Sequence, residues 1–327
     1  MRLTLHRALN AADAPLALAI GNFDGVHLGH RAILAATVTA AQSMGLSPAA
    51  MSFHPLPREF FSTADAPPRL MSTTEKLSAF AQCGIAHAYL PKFDRHFAAQ
   101  SPDAFIERLT AMRVRWLMVG EDFRFGAKRA GDVMRLRDGG RKHGFIVEAM
   151  PDISDQGLRI SSTAVRDALR EARLTQAAAW LGAPYRIVGR VIHGRKLGRT
   201  LGFPTANIAL SRRKPALGGV FAVRCQLVTR GLEGVASKNG LILDGVANLG
   251  TNPVVSSENH PHLEVFLLDF DGDLYGKRVA VQFIEKIRDE QHFSGLDALV
   301  ARMHHDVAEA RTILARITHG SNESKER

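Results

Sequence analysis

The run Gly21-Asn22-Phe23-Asp24-Gly25-Val26-His27-Leu28-Gly29-His30 (GNFDGVHLGH, residues 21–30) decides how the first half of the chain is read. Before it, Leu16-Ala17-Leu18-Ala19-Ile20 is an apolar run with the length of a buried strand. After it, Arg31 to Met44 is rich in Ala, Ile and Leu and stops at Gly45, which predicts a helix with a glycine C-cap. A strand that turns directly into a helix leaves the first helical N–H groups free to meet an anion. Gly21, Gly25 and Gly29 let the backbone come close to such a ligand, and Asp24 lies in the same loop. His27 and His30, three residues apart, project from the same turn toward it. A phosphate is the economical occupant. A tight turn carrying two surface histidines is the plainer reading, and for a single histidine it would be preferred.

Length and composition set the frame. At 327 residues and 46% hydrophobic content, the chain exceeds one ordinary core, and two domains are expected. No apolar run approaches the roughly 20 residues that span a bilayer, and no signal-peptide cleavage pattern precedes the first strand, so no membrane partner is expected. Cys83 and Cys225 are far apart and outside any Cys-x-x-Cys pattern, which predicts free thiols in a reducing cytoplasm and no structural zinc. The net charge of +10 is spread over both halves, as suits an enzyme of polyanionic nucleotides or a weak nucleic-acid binder. Few aromatics lie among the basic residues, so no stacking platform for single strands, and no specific nucleic acid, is expected.

Residues 1–183 alternate strand and helix signals. Strands are expected at Ala49–Phe53, His87–Leu90, Arg115–Val119 and Phe145–Ala149. Helices are expected from the capping box Ser72-Thr73-Thr74-Glu75 toward Cys83, from Ser101-Pro102-Asp103, and over Asp132–His143. This βα succession predicts a doubly wound parallel sheet with ligands at the carboxyl ends of its strands. A helical pair, Thr163–Arg170 and Thr175–Leu181, ends at Gly182, and the domain boundary is expected before Pro184. From there the period becomes two. Arg186–His193, Val220–Val228, Leu241–Asp244, His262–Asp269 and Arg278–Glu285 predict a small antiparallel barrel over 184–317. Ser237-Lys238-Asn239-Gly240 and Asp271-Gly272 supply turns. Ser294 caps a closing helix whose apolar stripe runs through Leu296, Leu299, Val300, Met303, Val307, Ala310 and Leu314; residues 318–327 are expected to be a polar tail, of which SNESKER (321–327) is expected to fray.

Three further stretches of the first half fall where strands end: HPLPREFF (54–61), GEDFRFG (120–126) and ISSTAVR (160–166). The last offers Ser161, Ser162, Thr163 and Arg166 at a helix start, a cradle for a leaving pyrophosphate, although such a run alone is more often a helix cap. In the second half, GRKLGRTLGFPTAN (194–207) joins a glycine-rich basic loop, with Gly194, Lys196, Gly198 and Gly202, to Thr205 and Asn207 entering a strand. Glycines and cations suit a polyphosphate, and a hydroxyl beside a carboxamide suits a hard cation; a basic surface hairpin is the plainer reading. Glu264 stands on the same side of its strand as Phe266 and Leu268, and a carboxylate there is costly unless paired, solvated or functional.

Together GNFDGVHLGH, GEDFRFG, ISSTAVR and PTAN make the chain resemble the prokaryotic bifunctional riboflavin kinase/FAD synthetase family over nearly its whole length. The resemblance implies an α/β fold: a Rossmann-like FMN adenylyltransferase domain, then a riboflavin kinase β-barrel with a closing helix. It implies ATP as co-substrate, Mg²⁺, and riboflavin and FMN as substrates. His27 and His30 would contact ATP phosphates, with Ser161, Ser162, Thr163 and Arg166 on the β,γ-phosphates. Asp122, Phe123 and Phe125, and more remotely Phe221, would meet the flavin. Some relatives carry Asn where this chain has Asp122. Thr205 and Asn207 would position the metal, the loop from Gly194 to Gly202 would cover the phosphates, and Glu264 would be the general base. Two other readings stay open at this point: a nucleotidyltransferase whose barrel only binds substrate, and a nucleic-acid-binding protein that uses the net charge.

Overall fold

The computed structural model describes residues 3–62, 65–194, 202–212, 214–228, 241–250 and 261–323. Its contacts divide the chain into two compact units, Met1–Pro67 with Thr73–Ser162, and Pro68–Ser72 with Thr163–Arg327.

The first unit is built on one parallel sheet. Its strands β1 (Thr4–His6), β2 (Leu16–Ile20), β3 (Ser47–Met51), β4 (His87–Tyr89), β5 (Val114–Gly120) and β6 (Ile146–Met150) lie in the order β1-β4-β3-β2-β5-β6. Every residue of β2 is buried, as a central strand covered on both faces requires. From β2 the chain winds one way to β3 and β4, then returns to β5 on the other side of β2. The carboxyl ends of β2 and β5 therefore flank the point where the winding reverses, the place where doubly wound sheets open a ligand crevice.

Local chemistry explains most of the helices. Helix α1 (Leu28–Met44) ends at Gly45 in the left-handed region (φ 64°), as expected, but begins three residues before Arg31 because His27 itself caps it. Short helix α2 (Pro57–Phe61) follows β3, and α3 (Thr73–Gln82) follows the expected capping run. A four-residue α4 (Arg95–Ala98) precedes α5 (Pro102–Ala111), whose N-cap Ser101 accepts from the Ala104 N–H, with Pro102 in the first turn. Helix α6 (Val133–His143) is capped by Asp132. The expected strand Ala49–Phe53 is displaced to Ser47–Met51, because pairing with β2 in the register Leu16↔Ser47 to Ile20↔Met51 puts Ser52 and Phe53 in the loop beyond. The sequence carried no signal for β1, α2, α4 or the hairpin of β7 (Ser154–Asp155) and β8 (Leu158–Arg159).

In the second unit, α7 (Ser162–Arg170) and α8 (Leu174–Leu181) lead into six strands: β9 (Arg186–Ile192), β10 (Thr205–Ile208), β11 (Gly219–Val228), β12 (Ile242–Gly250), β13 (His262–Leu267) and β14 (Arg278–Arg288). They close into an antiparallel barrel in the order β10-β13-β12-β11-β14-β9. Alternation fills its interior with residues such as Leu263, Val265, Ala247, Leu249, Phe221 and Phe283. Phe221, expected near the flavin, is fully buried with its ring edge-on to Phe283, so it is a core residue. Strand β12 runs well past the expected Leu241–Asp244, since partners on both sides hold its glycines and asparagine in the ladder. The expected Ser237–Gly240 turn lies outside the described residues.

Helix α9 (Leu296–Glu323) packs on the outer face of the barrel through Val307, Ala310, Ile313 and Leu314, against Ala222, Val246, Phe266 and Leu268. The expected stripe is corrected at both ends. Leu296 is 57% exposed, whereas Ile313, outside the expected stripe, joins the contact, and the helical backbone continues through Glu323, three residues into the segment expected to fray from Ser321. Polar anchors fix the helix. Asp306, 4% exposed in its side chain, accepts from Arg288 Nη2 at 2.8 Å and Arg302 Nε at 2.9 Å, and Arg311 binds Asp269 through two 2.7 Å bonds. Replacing one partner of a buried ion pair leaves the other charge uncompensated. Asp306→Ala should therefore cost about 3–5 kcal/mol in urea unfolding of the full chain; a loss below about 1 kcal/mol would show that the helix is held by its apolar face alone.

Candidate active sites

The GNFDGVHLGH loop is held from below. Phe23, fully buried, packs edge-on against Phe80 of α3 and against the His30 ring, at centroid distances of 5.3 and 5.2 Å. Lys76, also on α3 and buried, donates to the Asn22 carbonyl at 2.7 Å and to Ser52 Oγ at 2.9 Å, and the Ser52 hydroxyl donates to the same carbonyl at 2.9 Å. These anchors hold Phe23 (φ 45°), Gly25 (φ 93°) and Val26 (φ 41°) in left-handed backbone, which is unfavourable for phenylalanine and more so for β-branched valine. Strain of this kind collects at ligand sites.

At the end of the loop His27 caps α1, its Nδ1 accepting from the His30 N–H in a long 3.4 Å contact. That acceptor role leaves its proton on Nε2. The His27 and His30 rings stack at 3.7 Å with 22° between planes. A Cβ at Gly29 would come within 3.2 Å of the His27 ring, so only glycine lets that ring lie over the first turn without displacement. Both imidazoles thus stand at the N-terminus of a 17-residue helix, where N–H groups and the helix dipole favour negative charge.

Hydrogen bonds bring the other motifs alongside. Ser162 Oγ donates to the Asp24 carbonyl at 2.8 Å, tying the ISST run to the histidine loop. The side chain of Asp24 is buried. Asp122, just beyond β5, accepts from Arg159 at 2.8 Å; Arg159 also pairs with Asp152, and these carboxylates raise its pKa above the usual arginine value. From HPLPREFF to GEDFRFG runs a continuous row of phenyl rings, Phe61, Phe60, Phe93, Phe53, Phe97, Phe105, Phe125 and Phe123, with centroids 5.2–6.3 Å apart. Phe125 is buried and Phe123 half-buried. A cavity of about 310 Å³, lined by Arg7, His54, Pro55, Leu90 and Lys92, lies at the carboxyl ends of β1, β3 and β4. Within the second unit, Arg166 on α7 donates its Nε–H to the Pro68 carbonyl at 2.6 Å.

The barrel carries a second constellation. Across β10, β13 and β12 the register sets Asn207 opposite Glu264 and Glu264 opposite Asn248, so three polar side chains form one row on one face. The next row on that face is Thr205, Phe266 and Val246, of which Phe266 and Val246 pack under α9. Glu264 is half-buried and makes no ion pair or hydrogen bond among the described residues. The Asn207 carboxamide lies so close over Gly194 that a Cβ there would overlap it. Gly202 adopts φ 83°; Lys196 and Gly198, expected on the phosphates, lie outside the described residues. The oxygens of Thr205 and Asn207 are the donors a hard cation takes, and among the described residues no group of three or more His, Cys, Asp or Glu could hold a metal ion.

Sequence reasoning missed Lys76, Ser52, Arg159 and Asn248. Lys76 sits one turn before Phe80 on the buried face of α3, and that lysine among core positions was its only signal. The two free cysteines differ in exposure, Cys83 being partly exposed and Cys225 buried. Burial raises the Cys83 thiol, with Arg31 opposing, and pushes Cys225 up to about 12, with Asp244 adding to the effect. A raised thiol pKa keeps the neutral, unreactive form at neutral pH. Cys225 should therefore resist iodoacetamide at pH 8 in the folded chain and react after unfolding; fast labelling before unfolding would overturn that placement.

Residues 9–164 match the family model described as FAD synthetase, and residues 181–314 match riboflavin kinase. The bifunctional riboflavin kinase/FMN adenylyltransferase of Escherichia coli (strain K12) is 43% identical over 309 residues, 94% of this chain and 95% of that protein. That of Pseudomonas fluorescens is 42% identical over 92% of this chain and 93% of its own length. A crystal structure named as the macrolide-efflux protein from Streptococcus pneumoniae matches with a TM-score of 0.76 at 26% identity, over 95% of this chain and 99% of that one. No described helix of the present chain is long and apolar enough to cross a membrane. With both halves matched in order and at this identity, the chain belongs to the bifunctional riboflavin kinase/FMN adenylyltransferase family.

Proposed function

We propose that this chain phosphorylates riboflavin to FMN with ATP in its barrel, then adenylylates FMN to FAD in its N-terminal domain with release of pyrophosphate. The observation that carries the reading is the coexistence of two unlike polar sites in one chain: stacked imidazoles capping a helix at the sheet's reversal point, and a carboxylate flanked by carboxamides on the barrel. Membership of a family defined by both activities supports it. The functional boundary is placed between residues 183 and 184, and two free cysteines suit a cytoplasmic enzyme.

In the kinase step Glu264 takes the proton of the terminal ribityl hydroxyl as its oxygen bonds to the γ-phosphorus of ATP and ADP leaves. Thr205 and Asn207 would hold Mg²⁺, which when bound would supply charge neutralisation for the triphosphate. The loop from Gly194 to Gly202, with Lys196 and Gly198, covers the phosphates, and Gly194 leaves room for the Asn207 carboxamide. In the second step an FMN phosphate oxygen attacks the α-phosphorus of ATP and pyrophosphate departs. That phosphate is already anionic, so the site needs charge stabilisation and no strong base. His27 and His30 supply donors to the phosphates, Gly21, Asp24 and Gly25 shape the loop around them, and Ser161, Ser162, Thr163 and Arg166 take the departing group. Asp122, Phe123 and Phe125 border the flavin.

Replacing His27 and His30 together by Ala should lower FAD formation from FMN by about 10²-fold or more while riboflavin phosphorylation continues; an equal loss of both activities would refute the division of labour. Glu264→Gln should lower FMN formation by about 10²–10⁴-fold and spare adenylylation, and normal FMN formation by that variant would remove Glu264 as the base. Gly194→Ala should displace Asn207 and cost about 10²-fold in the kinase step alone; kinase turnover at the unsubstituted rate would show that the carboxamide's position is unimportant.

A further inference from the structure

We infer that Asn248 accepts a hydrogen bond from the ribityl chain of riboflavin and so presents its terminal hydroxyl to Glu264; the inference rests on the kinase reading above. Asn248 stands directly opposite Glu264 on β12, while Asn207 stands opposite it on β10. The Asn248 Oδ1 atom is buried and has no hydrogen-bond partner in the described structure. Folded proteins rarely leave a buried acceptor without a donor, so this atom is a place where a donor is missing.

The chemistry of that donor follows from its neighbours. Beyond Asn248 the row passes through Val220 to Arg288, whose guanidinium is taken up by the Asp306 carboxylate and the Asp289 carbonyl, and in the next row the neighbours Phe266 and Val246 have no side-chain donor. The Glu264 carboxylate, when ionised, only accepts. Fully ionised phosphate oxygens also only accept, which excludes the triphosphate. A metal shared with Asn207 is excluded by geometry: the two asparagines lie two strands apart, about 9.6 Å, and Mg²⁺–oxygen bonds are about 2 Å. What remains is a hydroxyl. The layout is then ordered across the strands, with the cation and phosphate on the Asn207 flank, the base in the centre, and the polyol on the Asn248 flank. Asn248 is thereby a substrate-binding and positioning residue on the side of the acceptor substrate.

The test uses the full chain with Asn248→Ala and the size-conserving Asn248→Leu, measured with riboflavin, ATP and magnesium. Riboflavin KM should rise about tenfold, with ATP KM within about twofold and FMN adenylylation unchanged. Because no partner in the folded protein loses a bond, the urea midpoint should hold or rise in Asn248→Leu. A riboflavin KM within about twofold of the unsubstituted chain in both variants overturns the inference, as does an ATP KM that rises in step. A fall in the urea midpoint that tracks the loss of activity in both variants also overturns it, by making the role structural. Glu264→Gln separates the levels: if it is inactive as a kinase while both Asn248 variants are normal, only this inference falls; normal FMN formation by Glu264→Gln removes the base and this inference together, and failure of the unsubstituted chain to form FMN removes the kinase reading.

Discussion

The carbonyl of Asn22 receives two donors, the Lys76 ammonium and the Ser52 hydroxyl, and the imidazole site depends on that one junction. The loop above it passes through left-handed backbone at Phe23, Gly25 and Val26, conformations that would relax if the loop were free. Relaxation is opposed from two directions. Helix α3 supplies Lys76 and, one turn on, Phe80 against the buried Phe23 ring; the ISST run supplies Ser162 to the Asp24 carbonyl. A buried lysine is costly unless its protons are taken up. Here it fastens a strained loop to the sheet, and the packing of Phe23 on His30 carries that rigidity to the imidazole pair.

The barrel solves the same problem by other means. Antiparallel register needs no strained loop to gather polar groups; it places residues far apart in sequence in one row. Asn207, Asn248 and Glu264 come from three strands and meet only because β12 and β10 both pair with β13. A one-residue slip of β13 would turn Glu264 to the interior and Leu263 and Val265 outward, so core packing fixes the site's register as a by-product. The anchoring of α9 through Asp306 and Arg311 covers the apolar half of the same face and leaves the polar row uncovered by that contact.

Much of this was readable beforehand because it rests on short-range chemistry. Gly45, Ser101, Asp132 and Gly182 mark helix ends by caps that act over three or four residues, and each ends a helix here. Asn248 was invisible as a site residue because its meaning lies in a cross-strand neighbour 16 positions away. Strand β12 was underestimated because glycine and asparagine have low strand propensity, which two flanking ladders override. Three-residue β1 has no periodicity to detect and exists through its pairing with β4. Leu296 kept the helical period of its neighbours yet stands in solvent, since periodicity says which face a residue shares and not where the packed surface ends.

The two sites also differ in residue type in the way their chemistry demands. An alcohol holds its proton far too tightly to attack unaided, so a site that uses one needs a carboxylate, and it needs neighbours that orient the hydroxyl without protonating that carboxylate. Carboxamides meet both conditions, being neutral at every relevant pH and offering a donor and an acceptor each. A phosphate monoester has already lost its proton, and its difficulty is repulsion from the triphosphate it attacks. Imidazoles at a helix N-terminus answer repulsion rather than basicity. The absence of a carboxylate base beside His27 and His30 in the proposed mechanism, and its presence between Asn207 and Asn248, are therefore one physical argument applied to two nucleophiles.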